Sequence, residues 1–142
     1  LSLVLAAWSH RSQTAAGDTE IPPDEEISRL SRMTRWTIRR AWNFRRQRHI
    51  NLQELSAVLR EVRAWCEEGD WETRRVLLSD SRVTIGAVGK GRSPSIPLND
   101  LLRELMAYLV FGRQDVSLLF IRSGSNSADA PSRMLPLPLP SP

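Results

Sequence analysis

The stretch VLLSDSRVTIGAVGKGRSPS, Val76 to Ser95, decides the fold. A short apolar run ends directly in Asp80, an apolar patch follows, and a Gly/Ser-rich segment then carries Lys90 and Arg92. The run Arg74 to Ser79 reads as a buried strand bounded by charge, because it is short, apolar and flanked by residues that break a helix period. Val83 to Val88 reads as a short helix stopped by Gly89 and Gly91. A strand that ends on an acid and runs into a helix is a local unit of an α/β sheet, where chemistry gathers at the carboxyl ends of strands.

The neighbouring segments extend this pattern. Downstream, Ser93-Pro94-Ser95 is a loop and Pro97 sits at the first turn of a helix. That helix buries Leu98, Leu101, Leu102, Leu105, Met106, Leu109 and Val110 and ends near Gly112. Val116 to Ile121 reads as a second buried strand, apolar enough to be central. A turn-rich loop, Ser123 to Ser127, and then Ala128 to Arg133 follow it. Upstream, Leu52, Leu55, Val58, Leu59, Val62, Trp65 and Cys66 recur at helical spacing between Asn51 and Gly69, the clearest helix in the chain. Asn43 to Ile50 reads as an edge strand. Asp24 to Trp42 reads as a basic amphipathic helix with Asp24, Glu25 and Glu26 in its first turn and Ile27, Leu30, Ile38, Ala41 and Trp42 as its stripe. Two apolar strands separated by helices imply an α/β protein with parallel pairing.

Residues 1–23 read as a linker or truncated upstream context, 24–133 as the domain, and 134–142 as a Pro-rich tail. The opening LSLVLAAW has the apolar character of a signal core but no basic flank before it and no initiator Met, so it reads as part of something longer. The tail MLPLPLPSP reads as an extended linker, since its prolines lack the amide donor a helix or central strand requires.

Composition narrows the function. The chain has 142 residues, 41% of them hydrophobic, enough for one domain and one modest core. Its net charge is +4, and Lys90 is the only lysine beside nineteen arginines. Between Ile27 and Gln53 no acid occurs, while Arg29, Arg32, Arg35, Arg39, Arg40, Arg45, Arg46 and Arg48 all fall there. Such a run fits a polyanion partner, usually nucleic acid. It equally fits a solvated face balanced by acids from elsewhere in the fold. The single cysteine, Cys66, forms no intrachain disulfide and favours an intracellular setting, cytoplasm or nucleus. No apolar run approaches the about 20 residues that span a bilayer, so no membrane is expected. One cysteine and two histidines argue against a zinc site or a hydrolase triad.

Three carboxylates are the candidates for chemistry. Asp80 ends the first strand, Asp129 lies beyond the second, and Glu54 lies in the first turn of the Asn51 helix. Acids converging from separate elements make a hard-oxygen site suited to Mg²⁺. Each also has a structural reading: Asn51 and Glu54 as a variant capping box, Asp80 as a helix cap, Asp129 as a turn residue. Lys90, Arg92, Ser93 and Ser95 suit phosphate contacts, and Arg45 and Arg46 extend the basic track. Trp36 and Trp42 could stack on bases or pack in the core.

Taken together, HIN with Glu54, VLLSDS, KGRSPS and NSADAPSR (Asn126 to Arg133) resemble the ribonuclease H-like domain of retroelement polyproteins. The likeness is to the divergent form that follows the reverse transcriptase in tyrosine-recombinase-type retroelements, and it covers about Trp42 to Arg133. The resemblance implies a ribonuclease H-like mixed sheet of five strands flanked by helices, and Mg²⁺- or Mn²⁺-dependent hydrolysis of RNA in an RNA–DNA hybrid. It implies two ions held by four carboxylates, with Glu54, Asp80 and Asp129 in the second, third and fourth places. It also implies the reverse transcriptase portion of the same polyprotein as a partner. The first place calls for an Asp on a central strand, and neither Asp18 nor Asp24 sits in such a setting. The N-terminal half is therefore expected to be incomplete or atypical. The alternative is an inactive, basic nucleic-acid-binding domain.

Overall fold

The helix α2 (Ile50–Glu67) organises the core. Leu55, Val58, Leu59, Val62 and Trp65 recur three or four residues apart, so they share one face, and all are buried. Burying each contributes about 2 kcal/mol relative to leaving it in water. The helix starts two residues earlier than a cap at Asn51 would set. His49 is the N-cap, its Nδ1 accepting the Asn51 amide at 3.3 Å, so Asn51 is already inside the helix and does not cap it.

In the computed structural model the described residues are 25–42, 44 and 48–142. Around α2 lie α1 (Glu25–Met33), β1 (Arg74–Ser79), α3 (Arg82–Lys90), α4 (Ile96–Phe111), β2 (Asp115–Phe120), a 3-10 turn (Ser123–Ser125) and α5 (Asp129–Ser132). The chain is thus a mixed α/β protein with a small parallel sheet. β1 and β2 pair in parallel, Arg74 opposite Asp115 through to Ser79 opposite Phe120. Parallel neighbours need a crossover, and α3 and α4 supply it. Leu77, Val116 and Leu118 turn one face of the sheet toward α2, α3 and α4, joining Ala87, Leu98, Leu102 and Leu105 in a single cluster. Among the described residues no helix is long and apolar enough to cross a membrane.

Two tight spots explain local sequence. Gly91 closes α3 at φ 65°, a left-handed conformation that glycine adopts without strain. At Gly112, which ends α4, a Cβ would lie 2.5 Å from Cys66 Sγ, so only glycine lets the ends of α2 and α4 approach this closely.

Several expectations are corrected. The first helix stops at Met33, and residues 35–42 have no regular structure. Thr34 takes the Leu30 carbonyl through both its amide and its hydroxyl, and the Trp36 indole donates to the Ser31 carbonyl at 2.7 Å, so side chains satisfy the last turn. Thr34, Thr37 and Ile38 are β-branched and do not favour continuation. Nor is the expected stripe the buried side of α1: Leu30 is 49% exposed, while Ser28 and Ser31 are buried. The edge strand expected over Asn43 to Ile50 is not formed by Phe44, Arg48 or His49, and Ile50 opens α2. Residues 43 and 45–47 lie outside the described residues. Among those described, the sheet has two strands, not five, and β2 pairs only with β1, so it is not central. The tail from residue 135 carries neither helix nor strand, and its Ser141 amide reaches the Arg32 carbonyl at 3.0 Å.

Candidate functional site

Two of the three acids come together at the carboxyl end of β1. Leu77 anchors β1 in the core, and the Ile121 amide bonds the Ser79 carbonyl at 3.0 Å, fixing where the strand stops. Asp80 follows at once, and the capping of α3 is done by its neighbour. The Ser81 hydroxyl accepts the Thr84 amide at 3.2 Å and donates to the Thr84 hydroxyl at 3.0 Å. Asp80 is therefore not a helix cap, and among the described residues its carboxylate has neither a hydrogen bond nor an ion pair.

Glu54 projects from α2 just past its first turn, close to this strand end. Loss of hydration pushes its carboxyl up to about 7, the nearby Ser81 side chain holds it lower, and the neighbouring Asp80 charge raises it further. A half-buried acid with a titration point near neutrality can hold or release a proton at working pH. Such pairing of an acid with a like charge also leaves a deficit of positive charge, which a cation, hydrogen-bonded water or a basic ligand relieves.

Asp129 is not gathered with them. It opens α5, where its carboxylate pairs with Arg133 one turn later at 3.1 Å. Among the described residues no three His, Cys, Asp or Glu side chains are grouped to hold a metal ion. Glu54 and Asp80 fit a single Mg²⁺-type ion that keeps most of its waters, since such ions are commonly held by one or two carboxylates.

The basic candidates divide. Lys90 and Arg92 are exposed around the end of α3 with no ion pair among the described residues. The loop that carries them is clamped: Asn99 accepts the Ser93 amide at 2.8 Å and donates to the Ser93 carbonyl at 2.6 Å. The Ser93 hydroxyl in turn accepts the Ser95 amide at 3.2 Å. Both serines are half-buried and hold the loop's shape. Arg45 and Arg46 lie outside the described residues. In the basic run, Arg39 pairs with Glu68 at 2.7 Å and Arg40 with both Glu61 and Glu68, so acids of α2 and its C-cap offset part of that charge. Trp36 is buried, and Trp42 lies under Arg60, 5.0 Å from its ring, with Phe44 at its edge. Both tryptophans act in packing.

Sequence reasoning missed Ser81, which caps α3 and lies beside Glu54, and Asn99, whose clamp on Ser93 spans six residues. A Ser three residues before Thr84 was the available signal for the cap; nothing in the sequence marked the contact with Glu54.

Fold and site define a mixed α/β domain with an acid pair at the carboxyl end of a parallel strand pair and a basic loop on the helix that follows. Compared with known proteins, the chain matches no family model, no curated protein and no solved structure.

Proposed function

We infer that this chain is a ribonuclease H-like domain of a retroelement polyprotein, acting on the RNA strand of an RNA–DNA hybrid. The observation that carries the reading is Glu54 set against an otherwise unpartnered Asp80 at the end of β1. Strand-end acids opposed by a helix acid are what hydrolysis of a phosphodiester needs: a place to collect a cation and a group able to take a proton. Glu54 and Asp80 would hold Mg²⁺ or Mn²⁺, which when bound supplies positive charge to the phosphodiester. Lys90 and Arg92 position the backbone without reading sequence. In this reading the domain works beside a reverse transcriptase, inside the cell.

A second reading is a basic domain that binds nucleic acid without cleaving it. The ion pair that ties Asp129 to Arg133 favours it. A cleavage assay on a labelled RNA–DNA hybrid with Mg²⁺ separates the two. The hydrolytic reading expects RNA cleavage that falls at least about 100-fold in Asp80→Asn and in Glu54→Gln. Binding without cleavage, indifferent to both substitutions and to Mg²⁺, leaves the second reading standing.

A further inference from the structure

The inward side of α1 is polar. Ser28 and Ser31 are 4% and 2% exposed, whereas Leu30 and Met33 are 49% and 48% exposed. Opposite this side runs the loop after β2. The Ser31 hydroxyl donates to the Ser125 carbonyl at 3.0 Å, and the Arg32 guanidinium donates to the Ser125 hydroxyl at 2.9 Å. Between helix and loop opens a cleft of about 490 Å³, lined by Ser28, Arg29, Arg32, Arg122 and Ser125, with Glu25 and Glu26 from the first turn of α1.

Two features mark the cleft as a site. Among the described residues none of its three arginines has an ion-pair partner. They outnumber the two lining glutamates, so the cleft keeps a positive balance. At its wall the Ser28 hydroxyl is buried with no hydrogen-bond partner among the described residues, which is unusual, because buried polar groups are nearly always paired. Apart from the Arg32 bond to Ser125, guanidinium forks and an unpaired hydroxyl offer donors, and a tetrahedral oxyanion presents several acceptor oxygens at once.

We propose that this cleft binds a phosphate group, with Arg29, Arg32 and Arg122 pairing its charge and Ser28 donating its hydroxyl. Topology supports a role beside the acid pair. Arg122 lies two residues past Phe120, Asp80 one residue past Ser79, and those two strand ends are register partners. The cleft and the acids therefore belong to the same end of the sheet, where a polynucleotide crossing Asp80 brings further phosphates within reach. A free phosphate shares the same chemistry. The inference stands on the arginines and Ser28, not on catalysis by Asp80, so it survives a failed cleavage assay and falls on its own test.

The test is binding by the full chain, read by fluorescence anisotropy with a 12-base-pair RNA–DNA hybrid. Arg29→Gln/Arg122→Gln is expected to weaken binding at least about tenfold and to lower the log–log salt slope by about 2, at close to one counterion per lost contact. Arg63→Gln/Arg103→Gln removes the same two charges from exposed positions on α2 and α4 and is expected to change affinity less than about threefold. Equal losses in the two double variants, or none in the first, overturn the proposal. A thermal melt supplies the second readout. Ser28→Ala is expected to melt at or above the wild-type temperature alone, since it deletes an unpaired buried hydroxyl, yet to lose the rise that ligand gives the wild type. A rise with inorganic phosphate, lost in both cleft variants, identifies a free phosphate site. A rise with oligonucleotide only, lost in the same variants, identifies a backbone site. No rise with either ligand overturns the proposal.

Discussion

Glu54 on α2 stands against Asp80 at the tip of β1, and burial together with that neighbouring charge brings the Glu54 carboxyl up to about 7. The folded protein thus holds this proton more tightly than the unfolded chain, whose carboxyl titrates near the ordinary 4.5. In metal-free buffer the stabilisation from this group is complete below pH 4.5 and is lost as pH rises to about 7. Glu54→Gln, which stays neutral, is expected to remove this decline and to exceed the wild type at pH 8 by on the order of 2 kcal/mol, allowing for the water that still reaches the side chain. Urea denaturation at pH 4.5, 6 and 8 checks it; parallel curves for the two proteins would refute the assignment.

Asp80 carries no capping duty, because Ser81 caps α3. Asp80→Asn is therefore expected to stay within about 1 kcal/mol of wild-type stability, while Ser81→Ala loses about 1 kcal/mol or more through the missing cap. Thermal melts of both variants decide this. A large loss in Asp80→Asn alone would show that the acid is structural.

Glu61 is 1% exposed, and Arg40 is its ion-pair partner. Burial raises the Glu61 carboxyl, and the Arg40 charge opposes that rise. Arg40→Met leaves a buried acid unpaired and is expected to cost about 3 kcal/mol at pH 8. Adding Glu61→Gln should recover most of the loss. Chemical denaturation of the single and double variants measures the coupling.

At Gly112 a Cβ would meet Cys66 Sγ at 2.5 Å and the Tyr108 carbonyl at 3.1 Å. Gly112→Ala is expected to destabilise by about 1–3 kcal/mol. Cys66→Ala removes the closer of these contacts, so in that background the added cost of Gly112→Ala should shrink by at least half. An unchanged cost would place the clash on the Tyr108 backbone.

Much of the fold could be read because its period is local. The stripe of α2 and the Leu-rich face of α4 bury regular sets of side chains, and the Gly stop of α3 and the apolar runs of β1 and β2 are equally local, so a short window contains each pattern. The acid at the tip of β1 was visible for the same reason. The length of α1 was not: its inward residues are serines, held by Ser125 of a loop more than 90 residues away, and its last carbonyls are taken by Thr34 and Trp36.

Sequence alone determined the helices α2, α3 and α4, the parallel strand pair, the excess of arginine and the position of Asp80 at a strand end. Only the tertiary structure decided which charges stay available. Folding spends Arg39 and Arg40 on Glu68 and Glu61, and Asp129 on Arg133, while it brings Glu54 to Asp80 and Arg122 to α1. Coulomb energy and desolvation depend on distance and burial in space, and chain order carries neither.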